Sequence, residues 1–200
     1  MSEVKKDYLA VSIIGVSAAL LSKVMIVSLE LKISWVFLGI FIFVTCIAGV
    51  FVGRLVRDKI PFLYQFAKFG ETGGLNTFVD LGVLNLLLLV SGISGGIYYS
   101  VFKAISFIAA VANSYLWNKF WVFSEEKRKQ QASSDEVTKF FIVSAIGFLI
   151  NVSVATLFVK FGASIVNIHG NLMANVGAVA AFAFTMLFNF LGYKIFVFKK

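Results

Sequence analysis

Polar and ionisable side chains occur at the start of one of the long apolar stretches in this sequence. The segment GETGGLNTFVDLG, residues 70–82, contains Glu71, Asn76 and Asp80. An aspartate at the centre of a membrane helix costs about 2.5 to 3.5 kcal/mol on insertion scales, so such a residue indicates function by default. Asn76 precedes Asp80 by four residues and shares its helix face. Glu71 falls nearly opposite, and we expect it at the membrane interface.

Two interpretations remain open for these side chains. Asp80 either contacts a polar substrate or makes a structural ion pair or hydrogen bond to a neighbouring helix, through Asn113 or Lys103. Amide side chains such as Asn76 and Asn151 often join transmembrane helices by hydrogen bonds. Interhelical bonding is therefore the expected role of these two asparagines, with substrate contact as the alternative.

The composition indicates which elements carry these residues. The chain of 200 residues is 60% hydrophobic and 14% charged, whereas soluble domains average about 45–50% apolar and about 25% charged residues. A membrane-spanning helix needs roughly 20 mostly apolar residues. Six stretches meet this condition, and they predict an all-α integral membrane protein with six transmembrane helices: residues 8–29, 34–53, 69–90, 99–121, 140–161 and 171–196.

The basic residues predict the orientation. If the six stretches cross alternately, all but four of the 18 Lys and Arg residues fall on one side. Such an excess marks the cytoplasmic side, so we expect a multi-pass protein of the cell membrane with both termini in the cytoplasm. The net charge of +8 is then explained by topology and by anionic lipid head groups. Nucleic acid is not an expected partner.

The sequence contains no recognisable catalytic or metal-binding pattern. Cys46 is the only cysteine and His169 the only histidine, which excludes an internal disulfide and disfavours a metal site. There is no P-loop, no GxGxxG motif, and no serine or cysteine nucleophile paired with a histidine. We therefore predict a protein that is not an enzyme and that has no cofactor and no bound metal.

An internal repeat divides the chain. NSYLWNKFWVF (113–123) resembles FNFLGYKIFVF (188–198) at an offset of 75 residues, and the same offset pairs Asn76 with Asn151. Residues 65–123 and 140–198 therefore look like two copies of one helical hairpin. Because each copy crosses the membrane twice, the copies are predicted to be parallel repeats.

The remaining residues complete this prediction. Residues 1–60 have no counterpart and form an additional N-terminal transmembrane hairpin, while residues 61–200 form a four-helix membrane domain. Pro61 is compatible with the first turn of a helix that runs into the third span. Ser133 and Glu136 fit a capping box at the start of the fifth helix.

Each repeat ends in a polar group followed by a lysine, Asn118-Lys119 in the first copy and Tyr193-Lys194 in the second. Lysines beside aromatic residues are common at membrane surfaces, where the ammonium group reaches the head groups. The same two cations could hold a phosphate at the cytoplasmic surface. These interpretations do not exclude each other.

Three segments together resemble the GtrA-like family of membrane proteins: GGLNTFVDLGV, SYLWNKFWVF and NFLGYKIFVF. The family pattern has a glycine pair, Asn-Thr and Asp in the first helix, and an Asn-Phe-x-x-Asn-(Arg/Lys)-x-x-Val-Phe ending in each repeat. Ser114 replaces the first Asn of that ending in copy one, Tyr193 replaces the second Asn in copy two, and Ala155 stands where copy one has its aspartate. Any site is therefore expected to be asymmetric. The residues that carry the match are Asn76, Asp80, Asn118, Lys119, Asn189 and Lys194.

The resemblance implies transfer of polyprenyl-phosphate-linked sugars across the membrane for cell-surface polysaccharide synthesis. Basic residues would bind the lipid phosphate, and amide and carboxylate groups would bind the sugar hydroxyls. Lipid-linked sugar and membrane lipids are thus the expected partners. The predicted substrate-binding residues are Asn76, Asp80, Asn113, Asn118, Lys119, Asn151, Asn189 and Lys194.

Two other functions remain open. The chain could be an adaptor that anchors or assists a glycosyltransferase through its basic segments 54–68 and 124–139, without transporting anything. It could also be a small proton-coupled exporter in which Asp80 carries the proton. Six short helices make a thin wall around a large head group, so a homodimer is a further hypothesis.

Overall fold

The computed structural model describes residues 2–124, 133–162 and 171–198, which are helical except for short connections and contain no strand. His169 lies outside the described residues. All six predicted stretches are helices long and apolar enough to cross a membrane, which confirms an all-α, multi-pass membrane protein. The helices are α1 (Glu3–Ser28), α2 (Trp35–Val56), α3 (Pro61–Ser91), α4 (Gly96–Trp117), α5 (Ser134–Leu157) and α6 (Asn171–Gly192).

Local sequence signals account for where several helices begin and end. The Ser133 hydroxyl accepts the Glu136 backbone N–H at 3.2 Å and caps α5, as predicted. Pro61 is the first residue of α3, and the helix predicted to begin there runs into the third span without a break. That helix ends at Gly92, whose φ of 68° lies in the left-handed region that glycine adopts without strain.

The two predicted repeat endings have the same backbone conformation. α4 continues into a π-helical turn, Asn118–Val122, and α6 into a matching turn, Tyr193–Val197. Each turn is followed by a phenylalanine that is fully buried, Phe123 or Phe198. The N–H of each phenylalanine bonds to the carbonyl of the first residue of its turn at 2.8 Å. A π-helical turn also follows α5, at Phe158–Gly162, so the turns by themselves leave the repeat of the two hairpins a prediction.

The chain forms two compact units, Met1–Ser124 and Glu125–Lys200. In the first unit, α3 packs against α1, α2 and α4, and the core includes Val11, Ile14 and Val50. The predicted division into 1–60 and 61–200 therefore remains a prediction, since the N-terminal hairpin is part of this unit.

In the second unit, α5 packs against α6. Phe140 and Phe190 are fully buried there, and the rings of Phe140 and Tyr193 stack with their centres 4.3 Å apart. Across both units, many large apolar side chains are exposed, with Phe37 at 72% and Phe120 at 67%. A soluble protein rarely exposes so many, and in a bilayer these side chains face lipid.

Glycines in the first unit occupy two kinds of position, close helix contacts and open space. A Cβ at Gly82 of α3 would lie 2.7 Å from Leu21 Cδ2, so α1 and α3 are in close contact there. A Cβ at Gly73 or Gly74 would meet nothing within 4 Å. Gly82 is therefore required for close helix packing, whereas the glycine pair of the opening motif adjoins open space.

Candidate functional site

A row of polar side chains runs along α3 in steps of four residues: Lys68, Thr72, Asn76 and Asp80. Residues four apart lie on nearly the same face of a helix, and twelve residues rise about 18 Å. Three of the four contact α4 or its π-helical turn, as set out below. We call the four residues of this row, with their partners on α4, the polar seam. Sequence reasoning identified Asn76 and Asp80 but missed Lys68 and Thr72, although the spacing was visible.

Asp80 is paired with Lys103 of α4. The Lys103 Nζ lies 2.5 Å from Asp80 Oδ2, and the Ser106 hydroxyl donates to Asp80 Oδ1 at 2.6 Å. The side chains are 26% exposed for Asp80 and 42% for Lys103. This is the structural partner that the sequence allowed for, and it neutralises the charge of the intramembrane acid.

Asn76 and Asn113 form the next level of the seam. The Asn113 side-chain N–H₂ donates to Asn76 Oδ1 at 2.6 Å, which is the interhelical bond expected for Asn76. Both residues are half-buried. Two polar pairs from facing helices thus lie at successive levels of α3.

Asn118 and Lys119 lie in the π-helical turn after α4. Asn118 is fully buried, and its side-chain N–H₂ donates to the Ser114 carbonyl at 2.8 Å. Its Oδ1 has no hydrogen-bond partner among the residues that the structure describes. The Lys119 Nζ lies 3.3 Å from the Tyr115 hydroxyl, and the residue is only 6% exposed. The lysine is therefore buried and does not simply reach into the head groups.

The second unit contains the other three predicted residues. Asn189 Oδ1 is also buried and has no partner within the described part of the chain. The Asn189 side chain lies against Gly147, where any added Cβ would collide with it. Lys194 Nζ is 5.8 Å from the centre of the Phe190 ring, and Asn151 is half-buried on α5. The predicted set is thus divided between the units, with Asn76, Asp80, Asn113, Asn118 and Lys119 in the first.

A second polar group, missed by sequence reasoning, lies at the Lys68 end of the seam. We call it the Asp7 cluster, and it consists of Asp7, Arg54, Tyr64, Lys68 and Trp121. Arg54 Nη1 bonds to Asp7 Oδ2 at 2.5 Å, and the Tyr64 hydroxyl donates to the same oxygen. Trp121 Nε1 donates to Asp7 Oδ1 at 3.0 Å, and Lys68 Nζ lies 3.4 Å from it.

The Asp7 cluster joins residues that are remote in the sequence. Asp7 is 47 residues from Arg54 and 114 from Trp121. No short motif connects positions so far apart, so only their individual chemistry could have drawn attention to them. An aspartate near the start of the first span was the one available signal.

Glu71 lies outside the polar seam and faces α2. Its carboxylate accepts a hydrogen bond from the Cys46 thiol and lies where a Cβ of residue 49 would be. Together with Gly74, these residues line a cavity of about 390 Å³ formed by α1, α2 and α3. The sequence separated Glu71 correctly from Asp80, but it did not predict this contact with α2.

Comparison with known proteins gives a family match and one curated relative. Residues 68–198 match the family described as GtrA/DPMS, transmembrane domain. The chain is 30% identical over 148 residues to the uncharacterized membrane protein YngA of Bacillus subtilis (strain 168), an alignment that covers 73% of this chain and 86% of the relative. No solved structure matches the chain significantly. The polar seam lies within the family match, whereas Asp7, Arg54 and Tyr64 precede it.

Proposed function

Since this chain belongs to the GtrA/DPMS transmembrane family, we propose that it translocates a polyprenyl-phosphate-linked sugar across the cell membrane for polysaccharide synthesis. The polar seam is the observation that supports this proposal most strongly. It extends about 18 Å along α3, more than half of the roughly 30 Å hydrocarbon core of a bilayer.

The groups in the seam match the chemistry of a sugar head group. Sugar hydroxyls both donate and accept hydrogen bonds, and Asn76, Asn113 and Asp80 supply amide and carboxylate partners. At rest these groups bond to one another. The hydroxyls of a passing sugar replace these internal partners. Each buried polar group then exchanges one hydrogen bond for another, and none is left unpaired. The tail stays in lipid, beside exposed phenylalanines.

The phosphate is assigned to the basic end of the seam. We propose that this end faces the cytoplasm, because Arg54 lies in the last turn of α2, Arg57 and Lys59 follow that helix, and the positive-inside rule favours that side. Lys119 is the cation in the family ending of the first copy. In the second copy, Lys194 is the corresponding cation, and Asn151 and Asn189 are its candidate polar contacts.

The proposed activity involves no covalent step and therefore no catalytic residue. Proton-coupled export through Asp80 is disfavoured, because its carboxylate is already neutralised by Lys103. The adaptor hypothesis stays the alternative: in the segment 54–68, Tyr64 and Lys68 are buried, whereas Leu55, Ile60 and Phe62 are exposed.

The test is lipid scrambling in proteoliposomes with a fluorescent polyprenyl-phosphate-linked sugar. We expect Asp80→Asn, Asn76→Leu and Lys119→Gln to slow scrambling about tenfold or more, the effect of about 1.4 kcal/mol on a barrier. Lys139→Gln is the matched control, because Lys139 belongs to the second unit and its Nζ forms an ion pair with Asp135 Oδ2, 2.7 Å apart, in which both side chains are exposed.

Two outcomes would contradict the proposal. The first is parent protein that does not accelerate scrambling, particularly if it co-purifies with a glycosyltransferase, which would favour the adaptor. The second is seam variants that scramble as fast as Lys139→Gln, which would move the pathway elsewhere in the protein.

A further inference from the structure

Glu71 is an acidic residue of a transmembrane helix that forms no ion pair with any lysine or arginine the structure describes. Its carboxylate accepts a hydrogen bond from the Cys46 thiol of α2, and a thiol carries no positive charge. Asp80, on the same helix, is paired with Lys103. Because an ionisable group within a membrane is costly unless it has a partner, such a residue indicates function.

The packing around the carboxylate leaves its charge without compensation. An added Cβ at Gly49 of α2 would collide with Glu71 Oε1, so the acid lies directly against the backbone of that helix. The Thr45 hydroxyl, in the same cavity, donates to backbone carbonyls of its own helix. The polar side chains beside Glu71 are therefore a thiol and a hydroxyl, both uncharged.

The walls of the cavity next to Glu71 are apolar. Its lining includes Ile14 of α1, Ile42 of α2, and Leu75 and Phe78 of α3, and it contains no lysine, arginine or histidine. The volume of about 390 Å³ lies within the range of roughly 300–1,000 Å³ found for small-molecule sites, which are mostly apolar with a few polar groups. The cavity therefore suits a ligand that has an apolar body and one polar or charged group.

The carboxyl group determines which charge that ligand should carry. An anion would be repelled, and an uncharged apolar molecule would leave the acid unpaired in apolar surroundings. A cation pairs with the carboxylate, which is the arrangement in which a buried charge is tolerated. The ring of Phe78 provides a second favourable contact, since aromatic faces attract cations. A carboxylate has two acceptor oxygens, so its bond to Cys46 can persist.

The cavity is separate from the polar seam. Glu71 and Asp80 are nine residues apart, about two and a half helical turns, and so lie on opposite faces of α3. Six of the twelve lining residues belong to α1 and α2, which precede the family match at residues 68–198. The N-terminal hairpin thus creates a site that the family domain alone would lack.

We propose that this cavity binds a small organic monocation with an apolar body, and that Glu71 is its counter-ion. The site goes beyond the translocation of a lipid-linked sugar and does not rest on it. If Glu71 only joined α3 to α2 through Cys46, the cavity would bind a cation and an uncharged molecule of the same shape equally well.

A pair of probes of equal shape tests the charge preference. Benzyltrimethylammonium is the cation, and neopentylbenzene is its uncharged counterpart, with carbon in place of nitrogen. Equilibrium dialysis measures binding of labelled benzyltrimethylammonium to the full chain in non-ionic detergent, with both unlabelled molecules as competitors. We expect the cation to compete at a concentration about tenfold or more below that of neopentylbenzene. Equal competition, or no saturable binding by the parent protein, would overturn the proposal.

Removal of the charge tests the role of Glu71. Glu71→Gln keeps the size of the side chain and an acceptor oxygen for Cys46, and it should weaken binding of benzyltrimethylammonium about tenfold or more. Asp135→Asn is the matched control, because it removes an exposed acid from the second unit and should keep the parent's affinity. A folded Glu71→Gln protein with the parent's affinity would refute the assignment of the counter-ion.

Filling the cavity tests its location and does not depend on the folding of Glu71→Gln. Gly74 lines the cavity, and a Cβ there would meet no atom within 4 Å, so Gly74→Leu adds a side chain without a clash at its Cβ. Gly73→Leu is the matched control, because a Cβ at Gly73 also meets nothing within 4 Å and Gly73 is not a lining residue. We expect Gly74→Leu to lose cation binding and Gly73→Leu to retain it. Equal affinities of these two variants would place the binding outside the cavity and overturn the proposal.

Discussion

Breaking the ion pair between Asp80 and Lys103 should have unequal effects on stability, depending on which partner is removed. Lys103→Gln leaves Asp80 charged at 26% exposure, with only the Ser106 hydroxyl remaining as a described partner. Asp80→Asn leaves the ammonium of Lys103, which is 42% exposed and has a long stem that can reach towards the head groups. The loss of Lys103 should therefore be the more costly change.

The magnitude follows from the cost of an unpaired charge in the membrane. An aspartate at the membrane centre costs about 2.5 to 3.5 kcal/mol. Because Asp80 is partly exposed and keeps its bond to Ser106, we expect a lower value of about 2 kcal/mol for Lys103→Gln, and about 1 kcal/mol for Asp80→Asn. The double variant leaves no charge, so it should cost less than the sum of the two, with a coupling energy of about 1 to 2 kcal/mol.

Reversible denaturant unfolding in mixed micelles can measure this double-mutant cycle. The Asp135–Lys139 pair serves as the reference cycle, since both side chains are exposed, at 71% and 49%, and exposed i,i+4 pairs contribute about 0.3 to 0.5 kcal/mol. A coupling energy for Asp80 and Lys103 no larger than this reference would refute the argument, because the pair would then behave as a solvated surface contact.

Three other predictions concern packing and the repeat endings. Gly82→Ala should destabilise the protein by about 1 to 3 kcal/mol, because its Cβ would lie 2.7 Å from Leu21 Cδ2; Gly73→Ala, with no atom within 4 Å of its Cβ, should be neutral or stabilising by up to about 1 kcal/mol. Equal unfolding midpoints for these two variants would contradict the close contact of α1 and α3. Asn189→Leu should unfold at the same or higher denaturant concentration, because it removes a buried oxygen that has no partner within the described residues, yet it should slow lipid scrambling. A loss of stability with unchanged scrambling would show that the asparagine is structural. Lys119→Gln should keep α4 folded, since Asn118 retains its 2.8 Å bond to Ser114, so that slower lipid scrambling by this variant would report the loss of the cation and a lowered unfolding midpoint would contradict this reasoning.

Substrate binding by the predicted site residues stays a prediction, and the structure adds the contacts that these residues make. The sequence named Asp80 as the intramembrane acid and left open whether it contacts a substrate or pairs with Asn113 or Lys103. In the structure the two form a pair, and Asp80 is one level of the polar seam with Asn76, Thr72 and Lys68. The four-residue spacing of the seam is present in the sequence. Asp80 is its most conspicuous member, because it is an ionisable residue surrounded by apolar ones.

The sequence by itself determined the six helices, the capping of α5 by Ser133 and the start of α3 at Pro61. These features depend on interactions between residues a few positions apart or on total hydrophobicity, and both can be evaluated without a fold. Only the tertiary structure brought Asp7 to Arg54 and Trp121, which lie 47 and 114 residues away. Such a contact depends on which helix faces pack together, and in this protein packing is set by small-residue contacts such as Gly82 with Leu21.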